Sequence, residues 1–139
     1  MVGLVIAAHG HLADELVHTA EQIVGTLAAT ATCSIEPGAS PDDIRSKMLR
    51  AVSELDTGEG VIVLADLFGG TPCNQSLTLC RKHRLEVITG VNLPMVLKAN
   101  SMRSQPMSLP DLAVALAQYG QKNITCASAL LRVAETQQN

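Results

Sequence analysis

Residues 61–74 read VIVLADLFGGTPCN, and this stretch indicates both the fold and the part of it that carries chemistry. Val61–Ala65 is a continuous apolar run, which is typical of a parallel strand buried on both faces. A Gly-Gly pair follows, and Thr71-Pro72 then supplies an N-cap and a first helical residue. Strand, tight turn and helix in this order predict one unit of an α/β domain with a parallel sheet.

Apolar runs and segments of helical period alternate along the rest of the chain. The pattern predicts strands at residues 2–8, 29–36, 61–65 and 85–89, and helices from Leu12 to near Gly25, Pro41 to Leu55, Thr71 to His83, Pro94 to Met102 and Leu109 to Tyr119, the last ended by Gly120. Ser40 is the expected N-cap of the second helix. The tail from Lys122 fits either a strand or a helix. We therefore expect an open, doubly wound, mostly parallel sheet flanked by helices, in one domain over residues 1–139.

Composition excludes several classes of protein. The chain is 47% hydrophobic and 17% charged, which excludes intrinsic disorder. Its net charge is −3 and it holds one Tyr, one Phe and no Trp, so we expect no nucleic-acid partner. No apolar run reaches the roughly 18 residues of a membrane helix, so no direct membrane insertion is expected. The four cysteines form no C-x-x-C pair, and nothing else suggests export, which favours a cytoplasmic protein with reduced thiols.

Polar residues follow three of the predicted strands. His9-Gly10-His11 comes after the first strand, Asp66 after the third, and residues 90–94 after the fourth. Ligands of open α/β sheets bind at the carboxyl ends of the strands, where the strand order reverses. If the first and third strands are neighbours, as doubly wound topology usually makes them, His9 and Asp66 meet at this edge.

The turn after the third strand is suited to an anion. Gly69-Gly70 permits close approach of a ligand, and Thr71 begins a helix whose free amides and positive dipole end favour phosphate. The nucleotide patterns G-x-x-x-x-G-K and G-x-G-x-x-G are absent from the sequence, which favours a bare phosphoryl group. Neutral imidazole is a good nucleophile, and a carboxylate on Nδ1–H fixes the tautomer that leaves Nε2 free. These residues predict phosphoryl transfer to His9 assisted by Asp66, with no metal required.

Three motifs together resemble a known family. They are His9-Gly10 after an apolar strand, Asp66-x-x-Gly69-Gly70-Thr71-Pro72-x-Asn74, and residues 90–95, which read GVNLPM. This pattern resembles the enzyme IIA component of the mannose family of the bacterial phosphoenolpyruvate-dependent sugar phosphotransferase system. The likeness extends from Val2 to about residue 120.

The resemblance implies a role, partners and further site residues. It implies a cytoplasmic phosphotransferase component that accepts phosphate on His9 from phospho-HPr and passes it to a IIB component. It also implies that Asp66 is the partner of His9 and that Gly70 and Thr71 bind the phosphoryl oxygens, with Gly69, Asn74 and Asn92 as second-tier positions. No cofactor and no metal are implied. The family fold implies a homodimer that exchanges a C-terminal antiparallel strand, here Lys122 to about Leu130, and no fused IIB domain is expected.

The sequence departs from the family pattern at a few positions and leaves alternatives open. Ala7-Ala8 replaces the usual Gly-Thr before the histidine, and Phe68 and Cys73 differ from common residues. His11 and His18 are interpreted as solvent-facing, and Asn92 either stabilises its own turn or lines the site. The same chemistry would also serve a regulatory phosphoryl carrier or a donor to a dihydroxyacetone kinase. A flavodoxin-like module that binds an anion or a flavin, and a metal-dependent hydrolase, are the alternatives of a different class.

Overall fold

A computed structural model of the chain describes residues 1–67 and 71–138. Its elements are β1 (Gly3–His9), α1 (Leu12–Val24), β2 (Thr30–Ile35), α2 (Pro41–Leu55), β3 (Val61–Ala65), α3 (Thr71–Leu79), β4 (Leu85–Thr89), α4 (Leu93–Met102), α5 (Leu109–Lys122) and α6 (Ala127–Gln138). Each predicted strand before the tail is present, within two residues of its expected bounds.

The sheet has the order β2-β1-β3-β4, and every neighbouring pair is parallel. From β1 the chain moves outward to β2 and then returns to place β3 on the other side of β1. The strand order therefore reverses between β1 and β3, which is the position where open α/β sheets bind ligands. The open, doubly wound α/β fold predicted from the sequence is confirmed.

The core lies on both faces of the sheet because the central strands are apolar throughout. Leu4 and Ile6 of β1 pack on the face covered by α1, α4 and α5, whereas Val5 and Ala7 pack on the face covered by α2 and α3. These four side chains are at most 1% exposed. Alternation of side chains across a strand thus anchors β1 from two sides and fixes the position of its last residue, His9.

Two helices begin at serine N-caps, and Ser40 is the one expected from the sequence. The Ser40 hydroxyl accepts a hydrogen bond from the Asp43 amide at 3.1 Å, and the Ser108 hydroxyl accepts one from the Asp111 amide at 3.2 Å. In both helices a proline occupies one of the first two helical positions. These contacts satisfy amide groups that the first turn of a helix leaves without a partner.

Two helix ends differ from the prediction. The third helix ends at Leu79, short of His83. The fifth continues through Gly120 to Lys122, because Gly120 is buried against α4, where an added Cβ would lie 2.5 Å from the Met95 Cε. Glycine is retained here for close packing between helices, and it does not end the helix.

The tail forms a helix in the single chain, which is one of the two structures that the sequence left open. Lys122 is the last residue of α5, and Ala127–Gln138 form α6. A helix satisfies its own backbone hydrogen bonds, whereas a strand needs a neighbouring strand, and Ala, Leu, Arg and Glu in this segment favour the helix. Exchange of an antiparallel strand, Lys122 to about Leu130, between two chains of a homodimer stays a prediction, because the structure describes one chain.

Arg103 is a buried cation directly after α4. It is 4% exposed, and its guanidinium donates hydrogen bonds to the carbonyl oxygens of Ala28 and Ala29. These carbonyls immediately precede β2, so Arg103 fastens the end of α4 to the amino end of the sheet. Ala29 has a φ of 47°, a conformation that costs free energy in residues other than glycine. The hydrogen bond from Arg103 to the Ala29 carbonyl holds the backbone in this conformation.

We predict that Gly60→Ala destabilises the fold by about 2–4 kcal/mol, because it combines strain with a clash. Gly60 has a φ of +88°, and an added Cβ would lie 2.9 Å from the carbonyl oxygen of Arg84. Gly38→Ala is the matched control, since its φ is +86° and nothing lies within 4 Å of an added Cβ. Urea denaturation of both variants measures the difference, and equal losses would show that the clash contributes nothing.

Within the described part of the chain, no helix has the length and apolar character needed to cross a membrane. The four cysteines are all free, with Cys33 and Cys73 buried.

Candidate functional site

His9 and Asp66 lie at the carboxyl edge of the sheet, at the reversal of strand order. His9 is the last residue of β1, and Asp66 follows β3 directly. The two strands pair with Ala7 opposite Ala65, and the Asp66 amide donates a hydrogen bond to the Ala7 carbonyl at 3.2 Å. Parallel pairing therefore brings the two side chains together, as the sequence predicted.

The Asp66 carboxylate holds His9 through two hydrogen bonds to one oxygen. Oδ2 lies 2.8 Å from the His9 Nδ1 and accepts a hydrogen bond from the His9 backbone amide at 3.0 Å. The other oxygen, Oδ1, accepts from the Leu67 amide at 2.9 Å. The carboxylate is thus fixed by the backbone on both sides, and the imidazole is fixed by the carboxylate.

This arrangement selects one tautomer of the imidazole. A carboxylate oxygen accepts hydrogen bonds, so the neutral ring carries its proton on Nδ1 and has a lone pair on Nε2. The His9 side chain is 48% exposed, whereas that of Asp66 is 11% exposed. The geometry therefore presents an orientated nucleophilic nitrogen at the surface, backed by a largely buried carboxylate.

The charge state of Asp66 follows from two opposing effects. Burial favours the neutral acid, but the hydrogen bonds from His9 and Leu67, with the charge of a protonated His9, outweigh it and lower the pKa of Asp66 below 3.8. Asp66 is therefore ionised at neutral pH and accepts the hydrogen bond from Nδ1–H as a carboxylate.

The lowered pKa of Asp66 predicts a pH-dependent difference in stability. A carboxyl group with a lower pKa in the folded chain stabilises the fold above its unfolded pKa, and this contribution is lost as pH falls through the folded value. Wild type should therefore lose stability relative to Asp66→Asn as pH falls from about 5 to below the ordinary value of 3.8. Urea midpoints measured at several pH values test this, and parallel curves for the two proteins would refute it.

The turn after His9 is anchored on its other side by β2. Gly10 has a φ of +60°, which favours glycine, and its amide donates a hydrogen bond to the Ile35 carbonyl at 2.9 Å. His11 is the exposed N-cap residue of α1, in agreement with its interpretation as solvent-facing. His9 is thus held between Asp66 after β3 and the end of β2.

The structure describes some of the predicted phosphoryl-binding residues. The structure begins α3 at Thr71, so this residue lies at a helix N-terminus on the same edge of the sheet as His9. Asn74 is exposed in the first turn of α3. Gly69 and Gly70, together with Phe68, lie outside the described residues.

Asn92 caps a helix. Its Oδ1 accepts a hydrogen bond from the Met95 amide at 3.0 Å, and its Nδ2 donates to the Gly120 carbonyl at 3.0 Å. The sequence left two roles open for Asn92, and the structure shows the first, in which it stabilises its own turn. The hydrogen bond to Gly120 also joins α4 to α5.

A second polar cluster near this edge was missed by sequence reasoning. The Asp14 carboxylate, in the first turn of α1, accepts hydrogen bonds from the hydroxyls of Thr32 and Ser34 on β2. The signal available was two hydroxyl residues at alternate positions of a strand, which places them on one face. That signal does not indicate which helix residue they contact.

Among residues 1–67 and 71–138, no group of three or more His, Cys, Asp or Glu side chains is placed to hold a metal ion.

Comparison with known proteins agrees with the resemblance found in the sequence. The family profile EIIA-man, described as "PTS system fructose IIA component", matches residues 3–116. The mannose-specific EIIAB component of Escherichia coli K12 is 30% identical over 129 residues, which are 92% of this chain and 40% of that protein. The chain thus spans less than half the length of this relative. The fructose-specific EIIA component of Bacillus subtilis is 26% identical over 98% of this chain and 93% of its own length.

A solved structure shares the fold over most of both chains. The mannose/sorbose-specific IIA subunit of the phosphotransferase system from Enterococcus faecalis superposes with a TM-score of 0.79 at 32% identity, covering 89% of this chain and 92% of that one.

Proposed function

This chain belongs to the mannose-type IIA family of the sugar phosphotransferase system, and from that premise we propose that it carries a phosphoryl group on His9. In this proposal His9 accepts the group from phospho-HPr and passes it to a IIB component. The observation that carries the proposal is the 2.8 Å contact between the His9 Nδ1 and the Asp66 Oδ2, which leaves Nε2 free to attack phosphorus.

The transfer can be written with its bonds balanced. The lone pair of the His9 Nε2 attacks the phosphorus of phospho-HPr, the Nε2–P bond forms, and the bond between phosphorus and the donor atom of HPr breaks, with its electron pair remaining on that atom. The His9 ring then carries a proton on Nδ1 and the phosphoryl group on Nε2. Its positive charge lies against the ionised Asp66, whose role matches that of the aspartate in hydrolytic triads. Attack by a nucleophile of the IIB component reverses these steps and restores neutral His9.

The phosphoryl oxygens are proposed to lie at the start of α3. Gly70 and Thr71, with Gly69 and Asn74 in support, would offer backbone amides, a hydroxyl and the positive end of the helix dipole. The position of Thr71 at the carboxyl edge of the sheet supports this assignment. Phosphoryl transfer depends chiefly on positioning and on neutralising charge, and these groups provide both.

We also propose that the chain acts as a homodimer. The tail carries apolar side chains that the single chain leaves in solvent, since Ile124 is 76% exposed and Leu130 and Leu131 are each 62% exposed. Burial of these side chains against a second copy would remove apolar surface from water.

Intact-mass analysis after incubation with phosphoenolpyruvate, enzyme I and HPr tests the proposed function. We expect the mass of one phosphate to be gained, to be lost in acid, and to depend on HPr. Added IIB component should then discharge the phosphorylated chain. No gain in mass, while HPr itself is phosphorylated and the chain is folded, would refute the carrier role.

A further inference from the structure

Asp14 links the first turn of α1 to the end of β2. Its Oδ1 accepts a hydrogen bond from the Thr32 hydroxyl, and its Oδ2 accepts one from the Ser34 hydroxyl at 3.0 Å. Both oxygens of one carboxylate are therefore directed to the same strand. Hydrogen bonds to an ionised acceptor are stronger than those between neutral groups.

The strand end that Asp14 contacts also supports the turn that presents His9. Ser34 is followed by Ile35, whose carbonyl accepts the hydrogen bond from the Gly10 amide at 2.9 Å and which pairs with His9 across the sheet. The backbone carbonyl of Ser34 is held in turn by the Lys47 ammonium at 2.9 Å. The end of β2 is thus hydrogen-bonded to α1 through Asp14 and to α2 through Lys47.

Hydrogen bonds from β2, with two nearby positive charges, keep Asp14 ionised. The hydrogen bond from Thr32 has the largest effect on the pKa of Asp14 and lowers it, whereas burial raises it. The Ser34 hydroxyl and the charges of His11 and Lys47 lower it further, so the pKa of Asp14 lies below its ordinary value. The carboxylate accepts both hydrogen bonds at neutral pH.

We propose that Asp14 is a positioning residue for phosphoryl transfer: by bonding to Thr32 and Ser34 it holds the start of α1 against the end of β2. The turn of residues 9–11 leads into the start of α1 and is hydrogen-bonded to the end of β2. The kinetic part of this inference rests on the proposed carrier function, whereas its structural part does not.

A simpler role for Asp14 would be to stabilise α1 through the helix dipole. Glu15 lies in the same first turn and contributes a negative charge there as well. Asp14 differs in its bonds to β2. Glu15→Ala is therefore the matched control, because it removes the same charge from the same turn.

The test compares Asp14→Ala with Glu15→Ala in two measurements. In single-turnover phosphorylation by phospho-HPr, Asp14→Ala should lower the rate constant about tenfold while leaving the apparent affinity for the donor unchanged, because a displaced nucleophile loses rate and keeps its binding surface. In hydrogen exchange followed by NMR, the Gly10 amide of Asp14→Ala should exchange about tenfold faster than in wild type. Glu15→Ala should match wild type in both.

Thr32→Val provides a second variant of nearly unchanged shape in case Asp14→Ala fails to fold. It should also slow transfer, and the double variant should be no slower than Asp14→Ala alone, because Asp14→Ala already removes the hydrogen bond that Thr32→Val breaks. Equal effects of Asp14→Ala and Glu15→Ala, or an unchanged Gly10 exchange rate in Asp14→Ala and Thr32→Val, would overturn the inference. If wild type takes up no phosphate, the proposed function fails, and the Gly10 exchange rates still decide whether Asp14 holds the turn.

Discussion

Replacement of His9 by glutamine is expected to abolish phosphate uptake completely. The side chain is the acceptor itself, so no slower route through the same site remains. The fold should survive, because the His9 side chain is 48% exposed and a glutamine amide can still donate to Asp66. Intact-mass analysis with phosphoenolpyruvate, enzyme I and HPr measures the loss, and thermal denaturation checks the fold.

His18→Gln is the matched control for this experiment. His18 is exposed on α1, so its loss should change neither uptake nor stability. Phosphate on the His9→Gln chain at the wild-type level would place the acceptor elsewhere and would remove the basis for the proposed mechanism.

Asp66→Asn should slow phosphate uptake by about 10³-fold without preventing it. An amide in place of the carboxylate can donate a hydrogen bond to Nδ1, which favours the tautomer with the proton on Nε2 and leaves no lone pair there for attack. It also removes the negative charge that balances the ring once the phosphoryl group is attached. A single-turnover time course with phospho-HPr gives the rate constant.

Asp56→Asn is the control for a carboxylate with a purely structural role. Asp56 Oδ1 accepts hydrogen bonds from the amides of Gly58 and Gly60, in the turn that leads into the amino end of β3. Its replacement should lower stability while leaving the transfer rate of the folded protein unchanged. A transfer rate in Asp66→Asn within threefold of wild type would show that Asp66 does not orient the imidazole.

The sequence was sufficient for the parts of the fold that depend on local patterns. Apolar runs such as Val61–Ala65 form the strands because they are buried on both faces, and Ser40 and Ser108 begin helices because their hydroxyls satisfy free amides. The contact between His9 and Asp66 was also predictable. It required one topological assumption, that the first and third strands are neighbours, and one rule, that parallel strands end at the same edge.

Other features depend on contacts between distant residues, which local patterns do not encode. Arg103 is buried because its guanidinium donates hydrogen bonds to carbonyls 74 and 75 residues away, whereas the residues that follow it, Ser104 and Gln105, are polar. Gly120 lies inside a helix because α4 packs against it, although glycine often ends a helix.

Two further features have similar causes. The tail forms a helix in the single chain because a strand requires a partner that lies outside its own segment. The contact of Asp14 with Thr32 and Ser34 is not evident from the sequence, because the helix dipole already accounts for an acidic residue in a first turn.

The position of the phosphorus–nitrogen bond on His9 tests the central claim most directly. Histidine labelled with ¹⁵N allows long-range proton–nitrogen correlation spectra of the phosphorylated chain to distinguish the two ring nitrogens. We predict the phosphoryl group on Nε2 and a proton on Nδ1. A phosphoryl group on Nδ1 would contradict the account, because that nitrogen lies 2.8 Å from the Asp66 Oδ2 and the ring would have to leave the carboxylate to react there.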